Sequence, residues 1–600
     1  MGDALLGLTT VSRWRHARLM GLGDRKCPVA HTPCLVGLDG DPETPVEIAP
    51  FSSTQDDMIP ANMTFAAKMC LSPPFAEIAP NWESAIGHVL PPSLDEADVG
   101  EVGGYGALLP VSWQRICHDL ELKNPDLNPQ VIVLTDALQL ASRPSLLPEA
   151  LHTLRLRFPG ALLWTPGIGG PDNAAVLTWM GVDIFDLCRS RQAHSIGAIL
   201  TADGARMPED TLSEIADDAS MTSHWSRELA NIRRALRDGT LRDLVEKRIA
   251  NSPRLVEHLR YHDNLTAESE HTFLESIVSE DARLQCNTFA SRSDPAILDW
   301  IRFIDEDYCS PSEQNKVLIL LPCSARKPYR FSRSHRRFLE HIRNSNPHQV
   351  MVTAPLGLVP RDLERIWPAC HYDIPVTGDW DNDELARIES MVDRFVTRQG
   401  YEVVINHSGI EFPNISVPII DTRCGDSATA PKALQRLGDA VDESCEKNGL
   451  RSHKRNNILM AEYRSTARRQ MSNDEWMEGL TIVGRPPRHK LMLGEVQLAQ
   501  WNPERGALSL TKSSLPILHE HQSLPVVEIS HEGSWSGDIF SHMVVDYDPT
   551  IRMGADLLVL RDGVLIGSAR ASIPGGAWPN SPGRLARSHH RLPAAKRVEP

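Results

Sequence analysis

The sequence predicts an α/β protein with more than one sheet, and two observations carry the prediction. Apolar runs of strand length, such as Val131 to Leu134 (VIVL) and Lys316 to Leu321 (KVLILL), recur between segments with helical spacing; strands that alternate with helices in this way run parallel. From about residue 455 the pattern changes to short β-like pieces divided by turn residues, which predicts a β-rich C-terminal part.

The elements follow in chain order. Residues 1 to about 125 are rich in Pro and Gly and carry little periodicity. VIVL then opens the readable region as a strand, LPEALHTLRLRF has helical spacing, and ALLW (161 to 164) is a second strand. TPGIGGPDN leads into the helix AAVLTWM and the strand-like GVDIFD (181 to 186), and residues 226 to 260 read as helix with an apolar stripe and a break at Gly239. After a polar, acidic linker around 262 to 285, strands are expected at 316 to 321, 349 to 354, 402 to 406 and 418 to 421, with helices between them, as a compact parallel unit. Near the C-terminus LLVL and VLIGSAR flank Arg561-Asp562-Gly563. Asp-Gly supplies the positive φ of a tight turn, so this pair reads as a hairpin.

A chain of 600 residues allows roughly four domains. The formal net charge of -16 argues against indiscriminate polyanion binding by the whole chain, although RSHKR (451 to 455), RPPRHK (485 to 490) and the tail after Arg584 are locally basic. Eleven cysteines without a C-x-x-C pair predict reduced thiols. No window of about 18 apolar residues predicts a membrane span, and the opening MGDALLGLTTVSRWRHARLMG lacks the apolar core of a signal peptide. The expected compartment is the cytoplasm.

Reactive side chains concentrate between Pro322 and His335. KVLILL runs into this stretch and HRRFLEHI, with helical spacing, leaves it. It therefore lies at the carboxyl end of a strand, where open α/β sheets bind ligands. Cys323 offers a nucleophile, Lys327 a cation or amine, Tyr329 and His335 proton donors or acceptors, and Ser332 or Ser334 a helix N-cap. A cysteine beside Lys327, Arg326 and His335 near a helix start is expected to have a depressed thiol pKa, with His335 or Tyr329 as general acid. His371, Tyr372 and Asp373 read as a loop placed to complete the pocket, with Asp373 holding an incoming amine.

Three stretches resemble known families. GIGGPDN, GVDIFD and the helical NIRRALRDGTLRDLVEKRIANSPRLVEHLR resemble the later half of the catalytic barrel of archaeal tRNA-guanine transglycosylases. That resemblance implies a degenerate TIM-type (β/α) barrel and maps the nucleophile of the GVDxFD pattern onto Asp186. The chain departs from the pattern where an Asp-Ser-Gly-Gly-Phe-Gln stretch and a C-x-C-x-x-C zinc cluster should fall; DTLSEIADDASMTS stands in the latter place, with His224 at the remaining ligand position. No metal site is expected. P-C-x3-K-P-Y-x2-S-x2-H, filled by Pro322, Cys323, Lys327, Pro328, Tyr329, Ser332 and His335, resembles the signature of the archaeosine synthases, and TAPLGLVPRDLE (353 to 364) and HYDIPVTGDW (371 to 380) add to it. SGDIFSHMVVDYDPTIRMGADLLVLRDGVLIGSARAS resembles a PUA domain, a small RNA-binding pseudo-barrel.

These resemblances imply four units: a degenerate barrel (1–285), a parallel α/β catalytic domain (286–445), a small α+β linker domain (446–530) and a β-rich PUA domain (531–600). They imply a tRNA-modifying transferase without a cofactor. The nitrile of 7-cyano-7-deazaguanine at tRNA position 15 would be converted toward the amidine of archaeosine by an amine donor, lysine or glutamine. A partner enzyme would cleave the lysine adduct, and a homodimer is expected. The implied catalytic residues are Cys323, Lys327, Tyr329, Ser332 and His335. Substrate contacts are expected from Asp186, His371 and Asp373, and RNA contacts from the arginine of the Ile551-Arg552 pair, Arg570 and Arg584. The alternatives are base exchange through Asp186, or a tRNA-binding subunit without catalysis.

Overall fold

The computed structural model describes residues 7–38, 41–52, 108–124, 127–268, 273–314, 316–374, 380–530 and 535–593. The first residues of the chain start, most of the Pro- and Gly-rich region, part of the 262 to 285 linker, part of HYDIPVTGDW and the end of the basic tail lie outside the described residues.

An antiparallel meander comes first, β1 (Leu8–Trp14), β2 (Ala17–Gly23) and β3 (Pro28–His31). A six-stranded parallel sheet follows, from β4 (Cys34–Gly37), β5 (Phe51–Ser52), β6 (Leu108–Val111), β7 (Val131–Leu134), β8 (Leu162–Trp164) and β9 (Ile184–Phe185). Its order is β5-β4-β9-β8-β7-β6, so the last strand pairs with the first, Cys34 opposite Ile184. VIVL is buried on both faces: Ile132 and Leu134 join the main core, Val131 and Val133 a second cluster. A continuous apolar run is the signature of a parallel strand covered on both sides.

After a short hairpin, β10 (Ile199–Thr201) and β11 (Gly204–Arg206), come the helices Asp218–Asp238, Leu241–Arg248 and Pro253–Glu268. The expected break is real, because Gly239 caps the first helix at φ 69°, a left-handed conformation that suits glycine. The linker carries β12 (Leu284–Gln285).

The sheet that carries the signature has strands β13 (Val317–Pro322), β14 (His348–Thr353), β15 (Gly357–Pro360), β17 (Val403–Asn406) and β18 (Ile419–Asp421), while β16 (Tyr372–Asp373) pairs in parallel with β12. Its order is β15-β14-β13-β17-β18, with β13 at the centre. All four expected strands are present within two residues of their predicted ends. The expectation of a wholly parallel unit needs correction, since β15 runs antiparallel to β14. The chain reverses tightly at Gly357 (φ 73°), where a Cβ would lie 2.2 Å from Met391 Sδ, so only glycine fits the turn.

Beyond the helix Arg455–Gln470 lies a four-stranded sheet of β19 (Thr481–Arg485), β20 (Arg488–Leu493), β21 (Val496–Asn502) and β22 (Ala507–Leu510). A six-stranded mixed sheet of β23 (Val526–Ile529), β24 (Ile539–Phe540), β25 (Val544–Tyr547), β26 (Asp556–Arg561), β27 (Val564–Ala571) and β28 (Arg584–Arg591) follows. The expected hairpin is present: Arg561 faces Val564, and Asp562 and Gly563 have φ of 52° and 72°. Among the described residues no helix is long and apolar enough to cross a membrane.

Candidate active site

β13 ends at Pro322 and the chain loops from Cys323 to Ser332 before the helix Arg333–His341. Ser332 starts that helix, its hydroxyl accepting the His335 amide at 3.2 Å and lying 3.2 Å from Ser334 Oγ. The expected N-cap is thus Ser332, and its oxygen is occupied by the helix start.

His335 is fully buried. Its Nε2 donates to the Pro322 carbonyl at 3.0 Å, and its Nδ1 accepts from the Arg361 guanidinium at 3.0 Å. Because a guanidinium only donates, this pairing selects the neutral Nε2–H tautomer. Burial, reinforced by Arg361, pushes the imidazole down to about 3. The expected role as general acid is therefore corrected. The ring is neutral, both nitrogens are engaged, and it anchors the backbone that leads into Cys323.

The expectation for the thiol is reversed as well. Burial pushes the half-buried Cys323 thiol up from its ordinary value, and the Thr353 hydroxyl and Lys327 oppose that shift without overcoming it. A thiolate out of water loses more than one neighbouring cation returns. Lys327 is itself affected: burial lowers its ammonium pKa, against the pull of Asp373, Cys323 and Cys286. Its Nζ has no hydrogen-bond partner among the described residues and lies 4.0 Å from the centre of the Tyr372 ring, within cation–π range.

Tyr372 closes the site from β16. Its hydroxyl is 2.6 Å from Thr353 Oγ1 and hydrogen-bonds the hydroxyl of Tyr329. Both tyrosines are buried, and burial holds both phenols protonated. Thr353, Tyr372 and Tyr329 therefore form one chain of hydroxyls, anchored by the Ala354 carbonyl that Thr353 Oγ1 reaches at 3.1 Å, with the Cys323 thiol and an unpartnered ammonium beside it. A hollow of about 190 Å³ is lined by Cys286, Phe289, Arg292, Pro355, Trp380 and Glu384 among others, and Cys286 is near enough to Lys327 to act on its ammonium.

Thr353 escaped the sequence reading because it sits inside an apolar strand; its only signal was its place at the head of TAPLGLVPRDLE. Among the expected substrate residues, Asp373 is exposed and near enough to Lys327 to favour its charge. His371 is buried elsewhere, its Nδ1 2.8 Å from Cys370 Sγ and its ring against Trp367. Asp186 is not brought to this site. It is buried at the end of β9, accepting from Trp164 Nε1 (3.0 Å), the Gly167 amide (2.9 Å) and the Cys188 amide (3.1 Å).

The expected RNA-binding arginines are also placed differently. Arg552 grips Asp299 with two bonds of 2.8 and 2.9 Å, Arg570 pairs with Asp556 at 2.9 Å, and Arg584 reaches Asp538 at 3.2 Å. Each is paired with a carboxylate from another element, although Asp299 is shared with Arg302 and Arg469 and Asp556 with Arg505. Among the described residues no group of three or more His, Cys, Asp or Glu is arranged to hold a metal.

A family profile described as "Domain of unknown function (DUF5591)" matches residues 297–441, the span of the five-stranded sheet. The "Archaeosine synthase" of Haloferax volcanii is 30% identical over 430 residues, 66% of this chain and 70% of that protein. The chain belongs to the archaeosine synthase family. The "Archaeosine synthase subunit alpha" of Methanosarcina acetivorans agrees, at 29% identity over 471 residues covering 71% of this chain and 74% of that one. A "tRNA-guanine(15) transglycosylase" of Methanobrevibacter smithii is 27% identical over 213 residues, 34% of this chain and 30% of that protein. The archaeosine synthase and transglycosylase resemblances are thus each matched by a relative, and the residues of the archaeosine synthase signature meet at the carboxyl end of β13.

Proposed function

We propose that this chain is a tRNA-modifying archaeosine synthase that adds an amine to the nitrile of 7-cyano-7-deazaguanine at position 15 of tRNA. The observation that carries the reading is the thiol of Cys323 beside Lys327 and the linked hydroxyls of Thr353, Tyr372 and Tyr329, in a member of this family.

A nitrile carbon is a modest electrophile, so addition needs a nucleophile and a proton for nitrogen. A protonated thiol brings both. Sulfur bonds to the nitrile carbon, one C–N π pair moves to nitrogen, and the thiol proton reaches that nitrogen through the hydroxyls of Thr353 and Tyr372. The product is a thioimidate. An un-ionised amine then attacks its carbon, a C–N bond forms, the C–S bond breaks, and the departing sulfur recovers the proton the amine releases. The amidine leaves and the thiol is restored, with every atom accounted for. Lys327 steadies charge at sulfur, and Asp373 takes the ammonium end of the donor. Lysine is the first candidate donor and glutamine the second, with a partner enzyme acting on a lysine adduct.

The pairing of β9 with β4 supports a barrel for residues 1–285, and the other proposed units remain 286–445, 446–530 and 531–600. The C-terminal mixed sheet supports the PUA assignment and its role in holding RNA. Base exchange through Asp186 has little support, since that carboxylate is held by three donors.

Nucleoside mass spectrometry after mixing the protein, nitrile-bearing tRNA and candidate amines tests the reading. A mass gain equal to the added amine is expected. No gain with lysine, glutamine or ammonia overturns it.

A further inference from the structure

We propose that the tRNA is held over the reactive loop by the solvent face of the helix Arg333–His341, through phosphate contacts from Arg326, Arg333, Arg336 and Arg337. The helix is strongly two-sided. His335 and Phe338 face the core, while Arg333 and Arg336 are exposed and Arg337 is partly so. Positions three and four apart share a face of a helix, so these three arginines stand together. Arg326 is exposed in the loop between Cys323 and the helix.

None of the four side chains has a carboxylate or hydrogen-bond partner among the described residues, in contrast to Arg330 and Arg361 of the same site. Arg330 is bound by Glu462 at 2.9 Å and Arg361 by Glu364 at 3.0 Å, and Arg552, Arg570 and Arg584 are each paired internally. One acid, the exposed Glu340, shares the helix face and pairs with none of them. In a chain of net charge -16, the loop that bears the thiol is therefore rimmed by a local excess of positive charge. Clustered like charges repel unless a polyanion supplies the counter-charge. Phe331, 51% exposed at the head of the same helix, adds an aromatic surface of the kind on which unstacked bases rest. Phosphate contacts beside a stacking ring fit a folded RNA better than an acidic peptide. The identity of that RNA as tRNA rests on the proposed activity; the charge argument does not.

The test is fluorescence anisotropy of a labelled tRNA transcript with the full chain across a potassium chloride series. The probe protein is the triple variant Arg333→Gln/Arg336→Gln/Arg337→Gln, with Arg25→Gln/Lys26→Gln, an exposed basic pair elsewhere, as control. Each lost phosphate contact should lower the slope of log K against log salt by about 0.7 to 0.9. The triple variant is expected to lose about two of slope and at least tenfold in affinity at low salt, with an unchanged melting temperature, while the control matches wild type. A wild-type slope and affinity in the triple variant overturn the inference, as does displacement of tRNA by polyglutamate at equal charge. The two readings fail separately. Wild-type protein that modifies tRNA while the triple variant binds normally refutes only the docking face; loss of binding in the variant, with no nucleoside mass gain in wild type, refutes only the activity.

Discussion

His335 donates its Nε2 proton to the carbonyl of Pro322 across 3.0 Å, and Pro322 is the residue before Cys323. A neutral ring thereby sets the backbone from which the thiol projects. His335→Ala leaves the Pro322 carbonyl and an Arg361 donor unpaired in the core, at about 1–3 kcal/mol for each buried group. The expected result is a lower melting temperature and a lower kcat, with KM for tRNA little changed. His335→Gln, whose amide can both donate and accept, should recover part of each. Wild type and His335→Gln should share one pH–rate profile from pH 5 to 8, because a ring held near 3 does not titrate there.

Cys323 should alkylate slowly. The exposed thiols of Cys27, Cys117, Cys309 and Cys424 set the reference, and peptide mapping after iodoacetamide at pH 7 should show Cys323 labelled after all four, with its rate still rising past pH 9. Cys323→Ala should abolish amidine formation, whereas full single-turnover activity in that variant removes the thioimidate from the scheme.

Tyr372→Phe and Thr353→Val each interrupt the hydroxyl chain while preserving shape. The phenyl ring also keeps its place against Lys327. A loss of roughly 10²- to 10⁴-fold in kcat is expected, the usual worth of a positioned proton donor, with tRNA affinity unchanged in the same anisotropy assay.

Asp186→Asn separates structure from chemistry in the first sheet. It sets an amide against three N–H donors, so about 1–3 kcal/mol of stability should be lost. Turnover per folded molecule, measured at 15 °C, should stay at the wild-type level. A collapse of kcat in folded protein would return the carboxylate to catalysis.

Acid should loosen the first half of the chain. His16, His152 and His262 are buried around one another, with ring centres 5.2 and 5.5 Å from His16. Burial lowers all three, His152 to about 4 and the other two well below the ordinary imidazole value. Their folded pKa values lie below the unfolded value of about 6.5, so the unfolded state binds more protons as pH falls through that window. Stability is full above about 6.5 and declines toward 4, by up to about 1.4 kcal/mol per pH unit for each histidine. Urea melts at pH 7 and pH 5 check this, and His152→Gln should flatten the difference.

Strands, the glycine break and the Asp-Gly hairpin were legible because they depend on neighbours a few residues apart. β13 announces itself as an uninterrupted apolar run, Gly239 as the residue that tolerates a left-handed cap, and Ser332 as a hydroxyl three residues before His335. β15 was not legible, since an antiparallel return of four residues carries no period of its own. Tyr372 was read only as part of a loop because its strand exists through pairing with Leu284, far back in the chain.

The residue types at the site, from Cys323 to His335, and the family they point to were determined by the sequence alone, because a motif is a local fact. What those residues do was decided by tertiary structure. Burial raised the Cys323 thiol where nearby cations predicted the opposite, and Arg361 turned His335 from an expected acid into a brace. Carboxylates from other elements engage Arg552, Arg570 and Arg584, yet none among the described residues reaches Arg333, Arg336 or Arg337. In each case the deciding quantity is desolvation or a charge brought close by folding, and neither is encoded in the spacing of residues along the chain.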